Sequence, residues 1–198
     1  MADSLAPDAV RPLLRGRFGN VYRYEELSES TQRLLTEDDP EGAVAVAEEQ
    51  SAGRGRLGRT WRAPARTSVL VSVLLRPDVA SPRLPELSLI AGGAVAQAIA
   101  VATSLEPAIK FPNDVLIAGR KVAGILAESS EGRVVLGIGV NVNQTAEQLP
   151  ADAQTKPTSL RLELGDVVDR PTLLAEILVQ LERAYDAWVA ATGTAASG

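Results

Sequence analysis

The chain has 198 residues, 45% of them hydrophobic, which suffices for one substantial core and makes a single domain the default. It contains neither cysteine nor histidine, which excludes disulfides, thiolate metal sites, thioester chemistry and any imidazole base, nucleophile or ligand. A net charge of -5 argues against a general nucleic-acid binder, no uninterrupted apolar run is long enough to span a bilayer, and Met1-Ala2-Asp3-Ser4 is unlike a signal peptide, so a cytoplasmic protein is expected.

In chain order, Val21 to Leu27 reads as a short strand, with Ser28 to Thr31 as cap candidates for a helix through Leu35. Ala43 to Ala47 reads as a buried strand that delivers Glu48, Glu49 and Gln50 to a loop. Thr67 to Leu75 is a strand ended by Pro77. Leu84 to Ala102 is a core helix in which Gly92 and Gly93 would permit close packing on a sheet. Strands return at Ile109 to Phe111 and Val115 to Ile117. A turn at Ala118-Gly119 makes a hairpin with Val122 to Ala127, and Arg133 to Val142 is a further strand. Pro171 to Val189 is an amphipathic helix with Leu173, Leu174, Ile177, Leu178, Leu181, Tyr185 and Trp188 on one stripe, and the small residues beyond it should fray. This irregular alternation gives an α+β class, a mixed and largely antiparallel sheet packed with helices.

The stretch Gly53-Arg54-Gly55-Arg56-Leu57-Gly58-Arg59-Thr60-Trp61 interleaves three glycines with three arginines. Glycines let backbone N–H groups approach a ligand, and each guanidinium offers a fork that matches a carboxylate or phosphate. The spacing fits neither a P-loop nor a dinucleotide-binding turn, and three glycines oppose a helix, so the stretch is expected to be a mobile loop that orders around an anion. On arginine and glycine alone, a solvated surface loop or an RG-type contact to nucleic acid is as good a reading. A local positive patch on an acidic chain suits a small anion better than a long polyanion.

Three further segments extend the pattern: Ser30-Thr31-Gln32 at a helix start, Lys110-Phe111-Pro112-Asn113-Asp114, and Gly119 to Glu128 followed by Gly137-Ile138-Gly139-Val140-Asn141-Val142-Asn143. With the arginine loop, and in this order, they resemble the catalytic domain of biotin protein ligases, members of the class II aminoacyl-tRNA synthetase/biotin ligase-like superfamily. The resemblance covers roughly residues 24–188. It implies a two-step reaction: biotin's carboxylate attacks the α-phosphate of ATP to give biotinyl-5′-AMP and pyrophosphate, and a lysine of a biotin carboxyl carrier protein or domain then attacks the mixed anhydride. Mg²⁺ is implied with ATP, and a homodimer is left open. Neither nucleic acid nor a membrane is implied as a partner.

The resemblance also implies roles. Ser30, Thr31, Gln32 and Gln50 match positions that contact biotin, although Ser30 and Thr31 alone would read as N-caps. Arg54, Gly55 and Arg56 match the loop that closes on biotin and the adenylate phosphate, with Arg59 as a supporting charge and Trp61 helping to define the ATP region. Lys121 matches the lysine that bridges biotin's carboxylate and the α-phosphate, and Arg54 and Arg56 share its catalytic assignment. Gly124 matches a backbone contact to biotin. Lys110, Asn113 and Asn141 match nucleotide-side positions, and Asp114 matches a carboxylate that could hold Mg²⁺.

Departures from the family pattern are Gln32 for the usual asparagine and Phe111 for the usual tryptophan. Residues 1–190 are expected to form one catalytic domain with a frayed tail at 191–198. Neither an N-terminal helix-turn-helix domain nor a complete C-terminal β-barrel is expected. A lipoate-type ligase of the same superfamily and a non-catalytic module that binds biotin or biotinyl-AMP are the competing readings.

Overall fold

The structure, a computed structural model, describes residues 3–130 and 132–193. The chain forms seven strands, of which β7 alternates in burial along its length while β3 is buried throughout: β1 (Tyr22–Ser28), β2 (Val44–Gln50), β3 (Ser68–Leu75), β4 (Pro107–Lys110), β5 (Asp114–Ile117), β6 (Arg120–Ser130) and β7 (Arg133–Asn141). Four helices accompany them: α1 (Pro7–Val10), α2 (Glu86–Thr103), α3 (Leu160–Leu164) and α4 (Arg170–Gly193). The strands form one sheet in the order β1-β2-β3-β7-β6-β5-β4. Only β1 and β2 pair in parallel, so the sheet is mixed and largely antiparallel, as expected for the α+β class.

Alternation divides the sheet into two unlike faces. On β7, Val134, Leu136, Ile138 and Val140 join Val69, Val71 and Val73 of β3 in the main core, under α2 and the α4 stripe of Leu173, Leu174, Ile177, Leu178, Leu181, Tyr185 and Trp188. The intervening β7 residues Val135, Gly137 and Gly139 face the other way, and this second face carries the cavity described below. By length and a mean hydropathy of 1.5, α2 could cross a bilayer, but its buried side chains, among them Leu87, Ala91, Val95 and Ile99, belong to the main core.

Several expectations need correction. The helix expected through Leu35 is one 3-10 turn, Thr31–Arg33, and Ser30 at its start makes no side-chain cap bond. The Thr31 hydroxyl is spent on Gln50 and Ser72 instead, at 3.2 and 2.8 Å. β2 runs on through Glu48, Glu49 and Gln50 rather than handing them to a loop. A Cβ at Gly92 would meet Ile109 Cγ2 at 3.7 Å and Ile125 Cδ1 at 3.9 Å, ordinary contacts, so the approach of α2 to the sheet does not require glycine there. Of the expected frayed tail, residues 191–193 belong to α4 and the rest lie outside the described residues.

The expected hairpin between β5 and β6 turns at Ala118 (φ 48°) and Gly119 (φ 77°), two left-handed residues as a two-residue loop of this hand requires. Beyond it the register slips: Leu116 pairs with Lys121 but Val115 pairs with Ala123. Val122 is therefore the extra residue of a β-bulge, buried in the core with Ala123. This single irregularity turns the Lys121 side chain to the same face as Gly124, where strict alternation would have put it on the other.

Candidate active site

The face of the sheet away from the helices carries an open cavity of about 420 Å³, within the range of small-molecule sites. Its floor is glycine. A Cβ at Gly139 would lie 2.6 Å from Trp61 Cε2, one at Gly124 2.9 Å from Trp61 Cζ3, and one at Gly137 3.2 Å from Gln32 Nε2. Side chains laid flat on bare backbone thus define the floor, and the indole Nε1 of Trp61 is buried there without a hydrogen-bond partner.

At one end Ser30, Thr31, Gln32 and Gln50 converge. Gln50 Oε1 accepts from the Thr31 backbone N–H at 2.8 Å, and Gln32 Nε2 donates to the carbonyls of Leu126 and Val135 at 3.3 and 3.4 Å. This end therefore presents polar groups whose orientation is already fixed. At the other end Lys121 Nζ lies 2.7 Å from Asp114 Oδ1 and 5.7 Å from the Trp61 ring centroid. Where the pairing of β6 with β7 has ended, a neighbouring segment takes up the β6 backbone: Lys121 N–H donates to Lys156 O and Lys121 O accepts from Thr158 N–H, both at 2.8 Å. The base of this lysine is held on both sides.

The arginine stretch, expected as a mobile loop that orders around an anion, is a short hairpin closed by its own backbone hydrogen bonds. Arg54 bridges to Thr60, Gly55 N–H donates to Arg59 O at 2.7 Å, and Trp61 N–H donates to Gly53 O at 2.9 Å. Its tip is a 3-10 turn, Arg56–Gly58, with Leu57 at φ 58°. Arg54, Arg56, Arg59, Arg62 and Lys121 line the cavity against two carboxylates, Asp114 and Asp152, so its field is positive within an acidic chain.

Of the site residues expected from sequence, Ser30, Thr31, Gln32, Gln50, Arg54, Gly55, Arg56, Arg59, Trp61, Asn113, Asp114, Lys121, Gly124 and Asn141 all line this one cavity. Lys110 stands apart. It lies exposed on the edge strand β4 and does not line the cavity, although its Nζ donates to Oγ1 of the lining residue Thr155 at 2.9 Å. Asn141 serves largely as a brace, donating to Thr158 O at 3.0 Å and accepting from Gln144 at 3.1 Å. Asp114, expected to face Mg²⁺, faces Lys121. Among the described residues no three Asp, Glu, His or Cys side chains converge to cage a metal.

Two parts of the cavity were missed by sequence reasoning. Gly137 and Gly139 alternate within a strand, a spacing that marks one bare face and could have been read as close approach. The wall formed by Pro150, Asp152, Ala153, Gln154, Thr155 and Pro157 carries no periodic signal at all.

Comparison with known proteins gives the family of the chain. Residues 24–144 match the biotin/lipoate A/B protein ligase family. The chain is 44% identical over 161 residues to the biotin--[acetyl-CoA-carboxylase] ligase of Mycobacterium tuberculosis, covering 79% of this chain and 59% of that one. It is 39% identical over 171 residues to the bifunctional ligase/repressor BirA of Bacillus spizizenii, covering 82% of this chain and 53% of that one. The fold superimposes on a biotin protein ligase from Aquifex aeolicus, solved in complex with biotin and ATP, with a TM-score of 0.77 and 32% identity over 85% of this chain and 72% of that one. The chain thus spans between half and two thirds of the length of these two curated relatives. With the matched span covering more than half of its length and most of the cavity lining, the chain belongs to the biotin/lipoate A/B protein ligase family.

Proposed function

We propose that the chain is the catalytic domain of an ATP-dependent biotin–[biotin carboxyl carrier protein] ligase. One observation carries the reading: a positively charged, glycine-floored cavity has preset polar groups at one end and a held lysine at the other. The polar end, Thr31 with Gln50 and Gln32 with the β6 and β7 carbonyls, suits the ureido ring of biotin. The Lys121 end suits its carboxylate and the α-phosphate of ATP.

In the first step a carboxylate oxygen of biotin bonds to the α-phosphorus, the α–β bridging bond breaks, and pyrophosphate leaves with its electron pair. Two anions must approach each other, and Lys121 with the hairpin arginines offsets that repulsion. In the second step the carrier lysine's amine bonds to the acyl carbon, AMP leaves, and the nitrogen gives up its proton. Both steps depend on neutralising oxygen charge, which a chain without His or Cys can do. Mg²⁺ is proposed to accompany ATP, where it would help to neutralise phosphate charge; among the described residues no three Asp, Glu, His or Cys side chains converge to cage it without the nucleotide.

The domain is proposed to comprise residues 1–190, because the main core draws on residues from Leu5 to Trp188. A cytoplasmic location with carrier and ATP as partners follows from the same reading. Incubation with biotin, MgATP and a carrier domain tests it, following pyrophosphate release and biotin on the carrier. Release and transfer with biotin but not lipoate are expected. Transfer of lipoate instead would make this a lipoate-type ligase, and biotin binding without pyrophosphate release would leave only a binding module.

A further inference from the structure

The arginine hairpin is fastened at three points, to three different parts of the chain. Arg56 Nη1 donates to Asn113 Oδ1 at 3.1 Å, between β4 and β5. Arg59 Nη1 donates to Gln154 Oε1 at 2.9 Å, on the wall segment. Arg54 Nη2 pairs with Glu128 Oε1 at 2.7 Å, on β6. Two of these partners are neutral amides. Among the described residues, Glu128 is the one carboxylate paired with the hairpin, whose three guanidinium groups repel one another.

Glu128 has no part in the main cavity. It lies two residues beyond Leu126 on the same face of β6 and borders a second recess of about 330 Å³ on the other side of the hairpin. Its ion pair with Arg54, which lines both spaces, links it to the main cavity. Its side chain is 35% exposed and that of Arg54 48%, so the pair is strong enough to hold a hairpin and weak enough to open.

We propose that Glu128 is the latch of this hairpin: a positioning residue that holds Arg54 across the cavity and so sets how long ligand stays bound, without touching it. The proposal rests on the biotin ligase reading for the identity of the ligand, but not for the latch itself. The opposite relationship is physically possible. If Glu128 instead competes with the ligand for Arg54, removing its charge tightens binding.

Glu128→Gln in the full chain separates the two. It removes the charge, keeps the shape, and lies at the surface, so folding should survive, with melting temperature as the control. In the ligand-free protein, amides of Gly53 to Trp61 should exchange faster than in the parent. After loading with radiolabelled biotin and a chase of unlabelled biotin, release should be about two- to fivefold faster. That difference should shrink as salt is raised, with adenylate formation at saturating ligand unchanged. Unaltered hairpin exchange, or release as slow as in the parent or slower, overturns the latch. A parent protein that retains no biotin would count against the functional reading, while hairpin exchange would still decide the latch.

Discussion

The indole of Trp61 lies directly on the backbone of Gly139, so close that a Cβ there would sit 2.6 Å from Cε2. The same ring covers Gly124 and stands 5.7 Å beneath the Lys121 ammonium. Gly139→Ala must therefore lift the indole and disturb both the floor and the lysine above it. Biotin binding should weaken by ~1–3 kcal/mol, the usual cost of overpacking. The other tryptophan, Trp188, is buried and donates to Glu86, so a change in emission on substitution reports on Trp61. Parental affinity and an unmoved emission maximum in Gly139→Ala would refute this account of the floor.

Lys121 is paired with Asp114 at 2.7 Å and clamped through its backbone, so its role can be removed without removing the fold. Lys121→Ala should slow adenylate formation on the order of 10²-fold or more, comparable to losing one preorganised donor at a developing oxyanion. Lys121→Arg should not restore it, because a planar fork cannot stand in for a compact ammonium. Single-turnover pyrophosphate release decides the matter. Near-parental release by a folded Lys121→Ala protein takes this lysine out of the mechanism.

How much of this was legible in the sequence varies by the range of the forces involved. The alternating strand β7 and the Ala118-Gly119 turn are local signals, and they agree with the structure, whereas the glycines and arginines of residues 53–61 read as a mobile loop and form a short hairpin. The bulge at Val122 is not local: it appears only when β5 and β6 are paired, yet it aims Lys121. Thr31 read as a helix cap because the sequence does not show that Gln50 and Ser72 claim its hydroxyl. The wall at residues 150–157 is tied down by Lys121 N–H to Lys156 O, by Arg59 to Gln154 and by Lys110 to Thr155, contacts with distant segments that no periodicity announces. Arg170 meets Asp3 across 167 residues, and no pattern near either one announces it.

Acid stability should depend on Arg17, which forks onto Asp186 at 2.5 and 2.8 Å and reaches Glu182 at 3.0 Å, tying the N-terminal segment to α4. The hydrogen bond from Arg17 holds the Asp186 carboxyl below its ordinary value of 3.8 against a smaller upward push from burial. A depressed carboxyl contributes stability that is complete above its unfolded value and lost as pH falls through the lower, folded one. The contribution should thus fade only below about pH 4. Asp186→Asn should lose it at neutral pH, by less than ~1 kcal/mol because the pair is half exposed. Denaturation curves from pH 7 to pH 2.5 should then converge for parent and variant at the acid end. A gap that stays constant throughout would assign the effect to something other than this carboxylate.

Arg170, at the start of α4, is fully buried, and its guanidinium bonds to distant parts of the chain. Its Nη1 donates to Glu48 Oε2 at 2.7 Å and to Ser68 O at 2.9 Å, while Nε and Nη2 hold the carboxylate and carbonyl of Asp3. Glu48 in turn accepts from the Leu5 backbone N–H at 2.7 Å, so the N-terminal segment, β2, β3 and α4 meet at one guanidinium. Arg170→Met strands the Glu48 carboxylate in the core, and breaking a buried pair from one side typically costs about 3–5 kcal/mol. Glu48→Gln should cost less, since Arg170 keeps Asp3 and the amide oxygen can still accept from Leu5. Glu48 is two residues before Gln50 on β2, so Arg170→Met should also loosen the Gln50 contact to Thr31 and weaken biotin binding in whatever fraction remains folded. Urea unfolding of the three proteins gives the order. If Arg170→Met unfolds at the parental midpoint, the guanidinium is not the junction described.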